Sequence, residues 1–180
     1  EVRRRYVGLS MASVVSAVEA ELGKPLPEGW LDGLQAETFR QLREFVKPVA
    51  YVGAAVEAII EKGVRVSVAS SGSVRKMTLT LGHSGLLGLF HPRLYTAEQV
   101  LRGKPYPDLF EMVVRISGIV PANTAIVEDS LYGVQAAVAA GVKVFGYAGD
   151  PMTDAAALEA AGATVFTDMR QLPGLLGLEP

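Results

Sequence analysis

The chain contains no cysteine. That excludes a disulfide framework, a thiolate metal site and a cysteine nucleophile, and makes a cytoplasmic home the default. Histidine is almost as scarce: His83 and His91 sit in a Gly- and Pro-rich stretch without metal-ligand spacing and are given no role. Charge of one sign is lacking as well. Seventeen Lys+Arg against nineteen Asp+Glu leave a net charge of -2, so no bulk attraction draws the protein to nucleic acid or to an anionic membrane. Any phosphate it binds must be held locally. The longest stretch free of Asp, Glu, Lys and Arg, Met77 to Pro92, has 16 residues and includes Gly, His, Ser, Thr and Pro. A membrane span takes about 20 apolar residues, so none is expected. The opening residues, EVRRRYVGLS, carry no signal-peptide apolar stretch and begin at Glu1 rather than Met, so the sequence reads as cut at its front.

What is present is a globular composition. With 180 residues, 49% hydrophobic and 20% charged, the chain has material for one domain, or one domain with an appendage, and lies far from the composition of disorder.

Between Ser10 and Leu22 the apolar residues Met11, Val14, Val15, Val18 and Leu22 recur at spacings of three and four, with Ser10 as N-cap and Gly23 just past the end. After the Pro25–Pro27 break, Trp30, Leu34, Leu42 and Phe45 give a second helical stripe. Residues 1–45 therefore read as all helix. Beyond Pro48 the pattern changes. A helix over Val52–Glu61 leads to the β-branched run Val64–Ala69, then to Ser70-Ser71-Gly72-Ser73 and another helix. Further strands are expected at Ala125–Val127, Val142–Tyr147 and Thr164–Phe166, each followed by a helix. Strands alternating with helices predict βαβ units, and continuously apolar strands predict a parallel sheet covered on both faces. The expected class is α/β.

In such a sheet, ligands bind beyond the carboxyl ends of the strands. Ser70-Ser71-Gly72-Ser73 follows one strand and opens a helix, so it offers hydroxyls and backbone N–H groups to an anion, although serines there also serve simply as helix caps. Glu128-Asp129-Ser130 follows another strand; its adjacent carboxylates suit a hard cation such as Mg²⁺, and Asp129 or Ser130 suits a cap equally well. Lys104 lies on a proline-flanked turn, Gly103-Lys104-Pro105-Tyr106-Pro107-Asp108, where a lone lysine is ordinarily solvated. Arg3, Arg4 and Arg5 read as a solvated face, and Asp150 and Asp154 as loop and cap residues.

The order of these segments carries a resemblance. VSVASSGSVRK, RGKPYPDLF and AIVEDSLYGVQAAVAAGVKVFGYAG are similar to the second, third and fourth motifs of the haloacid dehalogenase (HAD) superfamily, closest to its phosphatase and β-phosphoglucomutase branch. The resemblance is dense over residues 46–180, the HAD-like core, and makes residues 1–45 the later part of a helical cap. It implies a Rossmann-like parallel sheet and Mg²⁺-dependent phosphoryl transfer through an aspartyl-phosphate, acting on a small phosphorylated metabolite. Ser70 and the Ser71 N–H would bind the phosphoryl group, Lys104 would neutralise phosphate and nucleophile, and Glu128 with Asp129 would hold the metal.

One motif is missing. The family's Asp-x-Asp at the end of its first strand supplies nucleophile and acid/base, and none of the six aspartates here stands in that pattern. The expectation is that it lies upstream of Glu1, that the chain on its own is inactive, and that the sheet splits between the strands Val64–Ala69 and Ala125–Val127. A phosphosugar mutase and a non-catalytic phosphate- or metal-binding module are the alternatives. Dehalogenation is disfavoured because the Glu128-Asp129 pair would repel an anionic substrate without a cation. Hydrolysis is expected over isomerisation, since Met11 stands where the mutase branch carries a phosphate-clamping arginine.

Overall fold

The computed structural model describes residues 6–178, so the Arg3–Arg5 cluster lies outside it. Helix α1 (Met11–Leu22) starts where the Ser10 hydroxyl accepts from the Ser13 N–H at 3.2 Å, and it stops at Gly23, whose φ of +63° is the left-handed turn glycine adopts without strain. Helix α2 (Trp30–Phe45) follows. Neither helix contains a buried residue, whereas α3 (Val52–Glu61) buries Ala55, Val56 and Ile59. The change of character at Pro48 is thus a change from helices lying outside the core to helices that build it.

Strand β1 (Val68–Ser70) leads into α4 (Val74–His83) and the short α5 (Leu87–Phe90), and β2 (Leu94–Thr96) returns parallel to β1 with Ser70 opposite Thr96. Helix α6 (Asp108–Ser117) then crosses to β3 (Ala125–Glu128), α7 (Leu131–Ala139), β4 (Lys143–Tyr147), α8 (Ala155–Ala160) and β5 (Thr164–Phe166). A 3₁₀ turn opened by Asp168 and the short helix α9 (Leu172–Leu175) close the described chain. All pairings are parallel, in the order β1-β2 and β3-β4-β5. Two sheets result, with no ladder between β1 and β3 among the described residues.

Alternation along β4 shows how the second sheet is covered. Val144 joins Phe110, Val134, Ala136, Ala137, Leu158 and Ala163 in a core under α6, α7 and α8. The next residue, Phe145, joins Ala55, Ile59, Phe166, Met169 and Leu172 in a second core under α3 and α9. Helices therefore lie on both faces, as continuous apolar strands require. Ala69 of β1 and Ile126 of β3 both pack on the first core, so that core spans the division between the sheets. The coverage fails at one place: Val127 is 39% exposed, because β3 is the edge of its sheet and the second core stops at β4 and β5.

Three local differences from the sequence expectations have physical causes. The run Val64–Ala69 becomes ladder only over Val68–Ser70, the residues that find partners on β2; Val66 instead packs on the second core while its carbonyl accepts from Arg93 Nε at 2.6 Å. Strand β2 itself was not expected. The helix after Asp150 starts only at Ala155, since Asp154, not Asp150, accepts from the third N–H of the turn (Ala157, 3.2 Å). No helix among the described residues is long and apolar enough to cross a membrane.

Leu109 of α6 is completely buried. Leu109→Ala is expected to destabilise the fold by about 2–5 kcal/mol through lost transfer energy and a residual cavity. Urea unfolding of both chains, at matched m-values, checks this.

Candidate active site

The carboxyl ends of β1 and β3 are joined by one side chain. Lys104 is only 5% exposed; its Nζ donates to the Ala69 carbonyl in β1 at 3.3 Å and forms an ion pair with the buried Glu128 carboxylate that ends β3. The ammonium also lies 4.8 Å from the centroid of the Phe110 ring. Lys104 is therefore not the solvated turn lysine that its lone position implied. Its turn is closed from outside. Arg102 donates through Nε (3.1 Å) and a terminal nitrogen (2.8 Å) to Asp108 and stacks 4.5 Å from the Tyr106 ring centroid, so residues 102–108 form a braced loop with Lys104 directed inward.

The second oxygen of Glu128 accepts from the Ser130 hydroxyl at 3.0 Å, and that hydroxyl accepts in turn from the Gly133 N–H at 3.1 Å. Ser130 is thus the cap of α7, and Asp129 is released from that duty: it is exposed and has no side-chain hydrogen bond to any described residue. Glycine at 133 is a spatial requirement, since a Cβ there would overlap the Glu128 carboxylate.

The serine loop is pinned from three sides. The Ser70 hydroxyl accepts from the Gly72 N–H at 3.0 Å, buried Thr96 donates to the Gly72 carbonyl at 2.8 Å, and the Ser71 hydroxyl donates to the Gly8 carbonyl at 2.7 Å. Ser73 caps α4 through the Lys76 N–H. Gly8 has φ +96°, and a Cβ on it would come within 2.6 Å of Ser130 Oγ. The segment preceding α1 therefore reaches across from the Ser71 loop to the start of α7. Met11, the first residue of α1, is 38% exposed.

Of the five residues singled out from the sequence, Lys104 and Glu128 touch each other, Ser70 adjoins the Ala69 carbonyl that Lys104 contacts, and Ser71 and Asp129 flank them on the same two loops. Thr96, Ser130 and Gly133 complete the arrangement. Ser130 and Gly133 belong to the EDS-xx-G string, whereas nothing in the sequence around Thr96 marks it. His83 bonds the Leu79 carbonyl within α4 and takes no part. Among the described residues no three His, Cys, Asp or Glu side chains cluster as a metal site. The hard-oxygen donors Glu128 and Asp129 nonetheless suit Mg²⁺, which retains several waters and needs only one or two carboxylates.

The family model for haloacid dehalogenase-like hydrolases matches residues 1–165. The chain belongs to that family. A 6-phosphogluconate phosphatase from Escherichia coli is 27% identical over 176 residues, 97% of this chain and 77% of the relative. A phosphorylated carbohydrates phosphatase from Thermotoga maritima is 26% identical, over 98% of this chain and 82% of the relative. Among solved structures, a HAD family hydrolase from Deinococcus radiodurans with bound phosphate and sodium superposes with a TM-score of 0.74 at 27% identity, covering 96% of this chain and 79% of that one.

Two outcomes follow from the buried pair. Lys104→Met leaves Glu128 buried without its countercharge and is expected to cost about 3–5 kcal/mol in urea unfolding, whereas Lys104→Met combined with Glu128→Gln recovers a large part of that loss. The Arg102 guanidinium holds the Asp108 carboxyl below the usual carboxylate range. The stabilisation from that pair is present above the unfolded-state pKa and is lost as pH falls through the lowered folded value. Carboxyl ¹³C titration should place Asp108 below its ordinary range in the wild type and within it in Arg102→Ala.

Proposed function

We propose that the protein is a Mg²⁺-dependent cytoplasmic phosphatase of small phosphorylated sugars, working through an aspartyl-phosphate. Its nucleophile, on this reading, is carried on a strand outside Glu1–Pro180 that lies between β1 and β3. The observation that carries the proposal is the buried Lys104 ammonium at the carboxyl ends of both strands, flanked by the Ser70–Ser71 loop and by the exposed Asp129. The phosphatases named above, at 26–27% identity over nearly the whole chain, support the substrate class.

Each residue then has a task set by its position. Ser70 and the Ser71 N–H hold phosphoryl oxygens at the end of β1. Lys104 supplies positive charge to the phosphoryl group and to the attacking carboxylate, while Glu128 and Ser130 fix its ammonium in place. Glu128 and Asp129 hold the Mg²⁺, whose charge offsets the negative charge that gathers during transfer. Residues 46–180 form the core and residues 1–45 part of a helical cap, a division supported by the absence of buried residues in α1 and α2. Through Gly8, the cap segment contacts both Ser71 and Ser130, where it can keep water from the site.

The test uses the full-length protein. Phosphate release from a panel of sugar phosphates should saturate with Mg²⁺, and Asp129→Asn should lower turnover by at least 100-fold and raise the Mg²⁺ needed for half-maximal rate. Inorganic phosphate is expected to exceed the isomerised sugar phosphate among the products. An unchanged rate and metal requirement in Asp129→Asn removes that residue from the site, and a wild type that binds phosphate but turns nothing over establishes the non-catalytic module.

A further inference from the structure

The first turn of α4 is charged against its own helix. N-terminal turns favour acidic side chains, which complement the unpaired N–H groups, and α2 and α6 follow that preference with Asp32 and with Asp108 and Glu111. In α4 no acidic residue occupies the first turn, which instead holds Arg75 and Lys76. Arg75 has a structural reason for its place, since its guanidinium stacks 4.7 Å from the ring centroid of Phe39 in α2. Lys76 has none of this kind. It is exposed and forms no ion pair with any described residue.

Its location is specific. A Cβ built on Gly72 would lie 3.3 Å from Lys76 Cδ and 3.4 Å from Ser70 Oγ, so the lysine stem and the Ser70 hydroxyl converge on the same face of the glycine. Lys104 approaches Ser70 from the Ala69 side and is neutralised by Glu128; Lys76 approaches from the Gly72 side with its charge uncompensated. A cation kept where the helix disfavours it, beside the phosphoryl-binding loop and without an acidic neighbour, awaits an anion that the protein does not supply.

We infer that Lys76 binds a second anionic group, a carboxylate or a second phosphate, on the part of the substrate that is not transferred. The enzyme thereby selects phosphorylated sugar acids or sugar bisphosphates over neutral sugar monophosphates. The inference rests on the phosphatase reading above and narrows its substrate class.

The experiment compares kcat/KM of the full-length protein on gluconate 6-phosphate, glucose 1,6-bisphosphate and glucose 6-phosphate. The wild type should favour at least one of the doubly anionic substrates over glucose 6-phosphate by 10-fold or more, and the favoured one identifies the anion. Lys76→Gln, which keeps a polar stem over Gly72, should reduce that preference at least 5-fold through KM rather than kcat. Lys76→Arg should retain it, and Lys76→Glu should invert it. Release from glucose 6-phosphate with no preference for either charged substrate, or an equal fall on all three in Lys76→Gln, overturns the role of Lys76 alone. No phosphate from any substrate with the wild type overturns it together with the phosphatase reading.

Discussion

A buried ammonium is stable only where its charge and its hydrogen-bonding capacity are met, and Lys104 meets both by drawing three separate parts of the chain together: the Ala69 carbonyl of β1, the carboxylate of Glu128 and the face of Phe110. Desolvating two charges is costly, so the pair adds little net stability over an apolar equivalent. Its effect is to fix geometry. β1 and β3 share no ladder, and besides the common apolar core the Lys104 contacts tie their carboxyl ends at a defined separation. The outward brace of Arg102 on Asp108 and the inward hydrogen bond from Ser130 serve that one position, because a lysine stem free to rotate would leave the carboxylate uncompensated.

The chemistry follows from this arrangement. Loops after parallel strands converge at one end of a sheet, and here they bring hydroxyls, an ammonium and carboxylates together. Burial then sorts the acidic pair: Glu128 is committed to Lys104 and Ser130, and Asp129, one residue further on, faces outward. Adjacent residues on an extended segment point to opposite sides, so a single dipeptide supplies one carboxylate that orients the site and one that is open to an external cation.

Much of this could be read from the residues alone. Helix α1 was legible because Ser10 and Gly23 mark its two ends, and β5 because Thr164–Phe166 stands between a glycine-terminated helix and an Asp cap. Elements defined by partners far along the chain were not legible. Strand β2 has three residues and exists because Val68–Ser70 pairs with it; the burial of Lys104 depends on Glu128, 24 residues away; and Thr96 owes its role to a carbonyl at position 72. Local signals locate caps and apolar stripes, but they do not reveal which polar side chain the tertiary structure will enclose. The split of the sheet was foreseen only through the family resemblance, since no propensity or periodicity records a missing neighbour.

Gly133 carries a consequence for comparing relatives. The space a methyl group would need is filled by the carboxylate of residue 128, so the two positions exclude one another's side chains. A homologue that acquires alanine or anything larger at the equivalent of 133 must shorten or redirect the acidic residue five places earlier, and with it release the lysine. The two positions should therefore change together over evolutionary time, and glycine at the later one can serve as a marker, readable without any structure, of homologues that keep the enclosed lysine–glutamate pair.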